Sequence, residues 1–199
     1  PQRAYGGVMT ERVVVIGGGI AGISAAYALL DLAPELDVVL VEAEDRLAHH
    51  TTGRSAAQLI ENYGAAAVRP LTTASLEFLR NPPADLVDGA LLSPRPLLTI
   101  GRVDQDETIS RPLAEGRAVS PTITELDPDE ATKLFPVLRR ERVHRAVLEP
   151  DAADIDVAGL HQAFVRGFRR LGGTIRPSAR VDAAVADGTG WRVETADGD

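Results

Sequence analysis

Apolar positions along the chain change period several times, and each change marks an element. RVVVI at 12–16 is apolar and β-branched after its arginine, the pattern of a short parallel strand buried on both faces. Ile20, Ile23, Tyr27 and Leu30 then recur at helical spacing in an alanine-rich run. They predict a helix over 20–32 that Pro34 ends. DVVLV at 37–41 predicts a second buried strand, completing a β-α-β unit of the size of one right-handed crossover. Residues 44–64 are small and polar and read as loop. A helix is predicted from about Val68 to Arg80, stopped by NPP at 81–83, and a strand at 97–100. Residues 101–120 carry charge without a clear period, so no element is predicted there.

Downstream, Asp127, Pro128, Asp129 and Glu130 supply the cap, first-turn proline and first-turn acids of a short helix that stops at Pro136. RVHRAVLEP at 142–150 reads as a strand. Asp156 is expected to cap a helix whose buried face is Val157, Leu160, Phe164, Phe168 and Leu171. Arg166, Arg169 and Arg170 crowd its end, where the dipole favours cations, and read as a solvated terminus rather than a phosphate site. Gly172 and Gly173 close it. Residues 174–186 and 191–196 read as strands joined by DGTG. The Asp197-Gly198 pair is a hairpin signal that needs a returning strand, so the chain is expected to be truncated at its C-terminus.

Composition narrows the function classes. The chain has 199 residues, enough for one large domain or parts of two, and at 44% hydrophobic it can bury a core. A formal net charge of −8 argues against nucleic acid or an anionic membrane as the main partner. The chain has no cysteine, which excludes disulfides, thiolate metal sites and cysteine nucleophiles within it and is compatible with the cytoplasmic location we expect. No apolar run approaches the ~20 residues of a membrane helix, so no transmembrane segment is expected. Residues 1–11 read as a leader, with Met9 as a natural start.

Gly17, Gly19 and Gly22 form G-x-G-x-x-G between the first strand and the first helix. Gly17 permits the tight turn, Gly19 lets a pyrophosphate approach the backbone, and Gly22 lets helix and strand pack closely. The helix start, with Ile20 and Ala21, offers free amides and a positive dipole end to the phosphates. Glu42 ends the second strand, twenty residues past Gly22, where a carboxylate accepts from ribose hydroxyls and repels the 2′-phosphate of NADP. This context predicts a dinucleotide site and leaves NAD and FAD both open. HHTTGRSAAQL, with its small residues and exposed amides, suits a longer flavin cofactor, or is simply a flexible loop.

These segments, with NYG, LLSPRP, PVLRRERV and DAADIDVAGLHQAFVRGFRR in the same order, resemble the D-amino acid oxidase type of FAD-dependent amine oxidoreductase. The nearest pattern is that of its D-arginine dehydrogenases, and the likeness covers roughly the N-terminal half of such a protein. The fold implied is α/β, a doubly wound, Rossmann-like FAD-binding domain interleaved with part of an antiparallel α+β substrate domain. On that likeness residues 12–84 and 149–199 belong to the FAD-binding domain and 85–148 to the substrate domain. The resemblance implies FAD as cofactor, with Gly17, Gly19, Ile20, Ala21 and Gly22 at the pyrophosphate and Glu42 at the adenosine ribose. It puts Ala43 and Arg46 near the adenosine, and Val181 at the adenine through its backbone. Thr51, Thr52, Gly53, Arg54, Ser55, Ala56 and Ala57 would run toward the flavin ring.

On the substrate side this sequence departs from the pattern. Gln58 stands where the arginine-specific members have a histidine, and Leu97 where they have a glutamate that pairs with the basic substrate. Tyr63 matches a lid tyrosine and is equally readable as packing, and Leu97 is equally readable as an inward strand residue. A guanidinium facing leucine would lack a partner, so D-arginine and D-lysine are not expected substrates. The implied reaction is oxidative deamination of an amine or D-amino acid, with hydride passing from the substrate Cα to the flavin. The family's carboxylate clamp lies in its C-terminal half, an expected partner here, so no catalytic residue is assigned and neither Arg54 nor Arg95 takes that role. Two other readings stay open: a cofactor-binding module inactive by itself, and an NAD-linked dehydrogenase. No metal site is expected, because adjacent His49 and His50 would diverge on a regular element. His144 and His161 read as surface residues of a strand and a helix.

Overall fold

The structure, a computed structural model, describes residues 11–195. In chain order its elements are β1 (Arg12–Ile16), α1 (Ile20–Leu32), β2 (Asp37–Val41), β3 (Gln58–Leu59), α2 (Arg69–Arg80), β4 (Leu92–Pro94), β5 (Leu97–Gly101) and α3 (Asp106–Val119). There follow β6 (Thr124–Leu126), α4 (Pro128–Leu134), β7 (Arg145–Glu149), β8 (Ala153–Ile155), α5 (Val157–Arg170), β9 (Thr174–Arg176), β10 (Val181–Asp187) and β11 (Gly190–Thr195). They fall into two compact units.

The first unit comprises the chain up to Ala56, Ala84–Asp88 and the chain from Val157. β1 lies parallel to β2, with Arg12 opposite Asp37 and Ile16 opposite Val41, and β9 lies parallel on the other edge of β2. β2 is buried along four of its five residues, as its unbroken apolar run requires. Ile23, Ala26 and Leu30 of α1 pack on Val38 and Leu40, joined by Val165 and Phe168 of α5. Gly167 lets α5 come close, because a Cβ there would press on Leu86 and on the ring of Tyr27. Gly172, at φ +92°, turns the chain out of α5 as predicted.

Three expectations need correction here. The buried face of α5 takes in His161, Ala163 and Val165, whereas Leu171 lies past the helix end and is 37% exposed. His161 is no surface residue; it is 2% exposed. The single strand predicted over 174–186 is two strands. Pro177 has no N–H for a ladder and Ser178 adopts φ 57°, so β9 ends and β10 begins a separate antiparallel hairpin with β11. The hairpin signal at 197–198, like the leader at 1–10, lies outside the described residues.

The second unit comprises Ala57–Pro83 and Gly89–Asp156, so it holds residues 57–83, which the resemblance assigns to the FAD-binding domain. It contains two antiparallel sheets, ordered β3-β8-β4 and β5-β7-β6. Residues 106–119, for which no element is predicted, form α3. Among the described residues, Ile109 and Leu113 are the buried apolar side chains it packs with Ile123 and Val147, and they stand in a charged run without a visible period. α4 begins as its sequence predicts. Asp127 Oδ1 accepts from the amides of Asp129 and Glu130 at 2.8 Å, and Glu130 Oε2 accepts from the Asp127 amide at 2.9 Å. Arg145 of β7 ties three elements together by donating to Glu125 of β6 at 2.5 Å and to Asp106 of α3 at 2.8 Å. Those contacts hold both carboxyls below their ordinary range.

Candidate functional site

The glycine turn joins β1 to α1. Gly17 has φ +101°, a conformation that disfavours any side chain, and its N–H donates to the Val41 carbonyl at 2.8 Å. A Cβ on Gly22 would overlap the Gly17 carbonyl, so this glycine sets the strand-to-helix distance. Gly19 caps α1 with no side chain in the way, and α1 has no acidic residue in its first turn to neutralise the positive dipole end. The amide of Ile20 donates to Thr52 Oγ1 at 2.9 Å, which docks the 51–54 segment on this helix start.

Glu42 holds the turn from the second strand. Its Oε2 accepts from the Gly18 amide at 2.7 Å and its Oε1 from the Glu44 amide at 3.0 Å. Each carboxylate oxygen keeps a further lone-pair direction, so the half-buried group can still accept from hydroxyls. Gly18 is buried, and its carbonyl accepts from the Ala48 amide at 3.2 Å and lies 2.9 Å from His161 Nε2. This arrangement fits a dinucleotide: a glycine-lined helix start for phosphate oxygens, and a carboxylate beside it for ribose hydroxyls.

The remaining predicted cofactor residues follow β2 or belong to the 51–57 segment and β10. Ala43 and Arg46 are exposed, and Arg46 Nε donates to His49 Nδ1 at 3.0 Å. Thr51, Gly53, Arg54, Ser55 and Ala56 are exposed, while Thr52 and Ala57 are half-buried. A Cβ on Gly53 would collide with the Ala48 carbonyl, so the fold itself requires that glycine. Ala57 adopts φ 57° and belongs to the second unit, where its carbonyl accepts from the Ile155 amide at 2.6 Å. The amides of Ser178 and Ala179 donate to the carbonyls of Glu44 and Glu42 at 2.8 Å. They thereby bring the chain just before Val181 alongside the end of β2.

His49 and His50 do not diverge as expected. The turn after Glu44, with Ala48 at φ 58°, gathers both around Glu44, and one ligand atom from each of the three lies within 4.8 Å of the others. His50 Nε2 is 2.7 Å from Glu44 Oε1 and pulls that carboxyl below its ordinary range. His49 Nδ1 is already occupied by the Arg46 guanidinium.

The predicted substrate residues belong to the second unit. Gln58 lies on β3 opposite Asp154, half-buried. Tyr63, in the loop beyond it, is 74% exposed and therefore not a packing residue among the described ones. Leu97 opens β5 half-buried, opposite Glu149. Burial raises the Glu149 carboxyl, against a hydrogen bond from Asn62 that lowers it. Arg95 is committed to Asp154, donating to its two oxygens at 3.1 and 3.0 Å. The residue missed at the site is His161. Its spacing, four before Val165 and seven before Phe168, was the available signal.

Comparison with known proteins agrees with this geometry. The chain is similar in structure to glycine oxidase from Geobacillus kaustophilus, with a TM-score of 0.80 and 18% identity over 95% of this chain and 53% of that one. It is similar to NikD, an unusual amino acid oxidase essential for nikkomycin biosynthesis, with a TM-score of 0.78 and 26% identity over 95% of this chain and 49% of that one. It is also similar to L-α-glycerophosphate oxidase from Mycoplasma pneumoniae with FAD bound, with a TM-score of 0.78 and 18% identity over 96% of this chain and 50% of that one. The chain thus spans about half the length of these structures. The family described as FAD dependent oxidoreductase matches residues 12–199, nearly the whole sequence, and the chain belongs to that family.

Proposed function

We propose that this chain carries the FAD site, and part of the substrate pocket, of a flavoprotein that oxidises an amine or a D-amino acid. The observation that carries the reading is the Gly18–Glu42 hydrogen bond, which joins the glycine turn to a ribose-accepting carboxylate. FAD, when bound, accepts the hydride from the substrate carbon. The turn formed by Gly17, Gly19, Ile20, Ala21 and Gly22 holds the pyrophosphate, through amides other than those of Gly17 and Ile20, which already donate to Val41 and Thr52, and Glu42 holds the adenosine ribose. Ala43 and Arg46 flank the adenosine, and Val181 meets the adenine through its backbone. Thr51 to Ala57 run toward the ring, with Thr52 fixed on the Ile20 amide.

Gln58, Tyr63 and Leu97 form the substrate wall. Tyr63, 74% exposed, presents its ring to a substrate. Leu97 offers no charge to a substrate guanidinium or ammonium. The pocket therefore takes a small or apolar amino acid or another amine. The names of the glycine oxidase and NikD support amino acid chemistry, while the glycerophosphate oxidase shows that the fold alone does not set the substrate. Activity is expected from a protein of the length of these relatives, about half of which this chain spans, and a cytoplasmic location belongs to the same reading. No described helix is long and apolar enough to cross a membrane.

The test is dye reduction by the flavin-loaded protein across a panel of D-amino acids and simple amines. The expected ranking puts small or apolar substrates above D-arginine and D-lysine. The highest kcat/KM on D-arginine would contradict it. The second reading, a cofactor-binding module, is favoured for the chain by itself because it matches only 53% of the glycine oxidase. It predicts FAD uptake without dye reduction until the rest of the enzyme is supplied.

A further inference from the structure

We propose that His161 is a positioning residue for the flavin pyrophosphate: it donates Nε2–H to the Gly18 carbonyl and thereby aims the neighbouring Gly19 amide at the phosphate. The proposal rests on the FAD reading above and goes beyond it, since no motif of the dinucleotide turn includes a residue of α5. His161 is the one buried polar side chain among the described residues, at 2% exposure. Its Nε2 lies 2.9 Å from the carbonyl oxygen of Gly18, 143 positions away in sequence. A carbonyl can only accept, so Nε2 must carry the proton.

The peptide joining Gly18 to Gly19 is rigid and trans, so its C=O and N–H point in opposite directions. The Gly18 carbonyl is aimed at a buried imidazole. The Gly19 N–H therefore points away from that imidazole, and a Cβ on Gly19 would crowd Thr52 Oγ1 at 3.1 Å, so glycine keeps this stretch of backbone bare. The preceding peptide is held as well, because the Gly18 amide donates to Glu42 at 2.7 Å. Two side chains from distant segments thus fix consecutive peptides of the turn. Without the imidazole the Gly18 carbonyl keeps only the longer bond from the Ala48 amide, at 3.2 Å.

The experiment measures FAD affinity of the apoprotein by flavin fluorescence, together with its thermal midpoint, for wild type, His161→Gln and His161→Phe. Glutamine can present an amide donor near the position of Nε2, whereas phenylalanine keeps the ring and loses the donor. The expected result is His161→Gln within about threefold of wild type and His161→Phe weaker by about tenfold, the effect of one lost hydrogen bond. Equal affinity for wild type and His161→Phe, or equal loss in both variants, would overturn the proposal. Nitrogen-15 NMR of the His161 ring needs no variant: a proton on Nε2 is expected, and an Nε2 without a proton would overturn it. If wild type itself takes up no FAD, the flavin reading fails, and the ring tautomer still decides the hydrogen bond.

Discussion

Glu149 illustrates how one side chain's surroundings set its contribution. It sits on β7 opposite Leu97, and burial raises its carboxyl above the ordinary 4.5 although Asn62 offers a hydrogen bond. A raised value in the folded state means that the native protein favours the protonated form. Stability from this group is complete below about pH 4.5 and is lost as pH rises through the folded value. Glu149→Gln should therefore raise the melting temperature at pH 7 and leave it nearly unchanged at pH 4. Melting curves at the two pH values check this, and a lower midpoint at pH 7 would contradict it. The backbone was legible in the sequence where a motif fixes it, as in the turn at Gly17 and the close helix–strand approach at Gly22. The gathering of Glu44, His49 and His50 was not, because it depends on a left-handed Ala48 that sequence periodicity does not reveal. His161 was read as surface because a polar residue on an amphipathic helix is usually solvated; its partner is a backbone carbonyl in a distant turn.

At the scale of elements, β1, α1 and β2 fall where the apolar pattern puts them, since buried strand runs and a glycine-led helix are strong local signals. α4 was legible from its cap alone. α3 was not, because its apolar positions at Ile109 and Leu113 stand amid charge, and the β9–β10 break depends on Pro177 and a left-handed Ser178. α5 packs on α1 and β2 in one apolar cluster. Phe168 is its fully buried centre, lying against Gly173. Phe168→Ala should cost about 3–5 kcal/mol, the range for emptying a buried aromatic site. Denaturant unfolding measures it, and a loss below about 1 kcal/mol would mean that this cluster is not the core of the unit.

At the scale of the whole molecule, the chain belongs to the FAD dependent oxidoreductase family and spans about half of the structures it resembles. The α/β character was legible because the β-α-β unit is local in sequence. The division into units was less so: residues 57–83 join the second unit through strand pairing of β3 with β8, a contact nearly a hundred residues apart that composition does not signal. On the proposed function the glycine turn, Glu42 and the segment after it hold FAD. The most direct measurement is the visible spectrum of the purified protein, with mass analysis of the cofactor released by heat. A yellow protein that releases FAD is the predicted result. A protein that stays colourless after FAD is added, and binds NAD instead, would contradict the account.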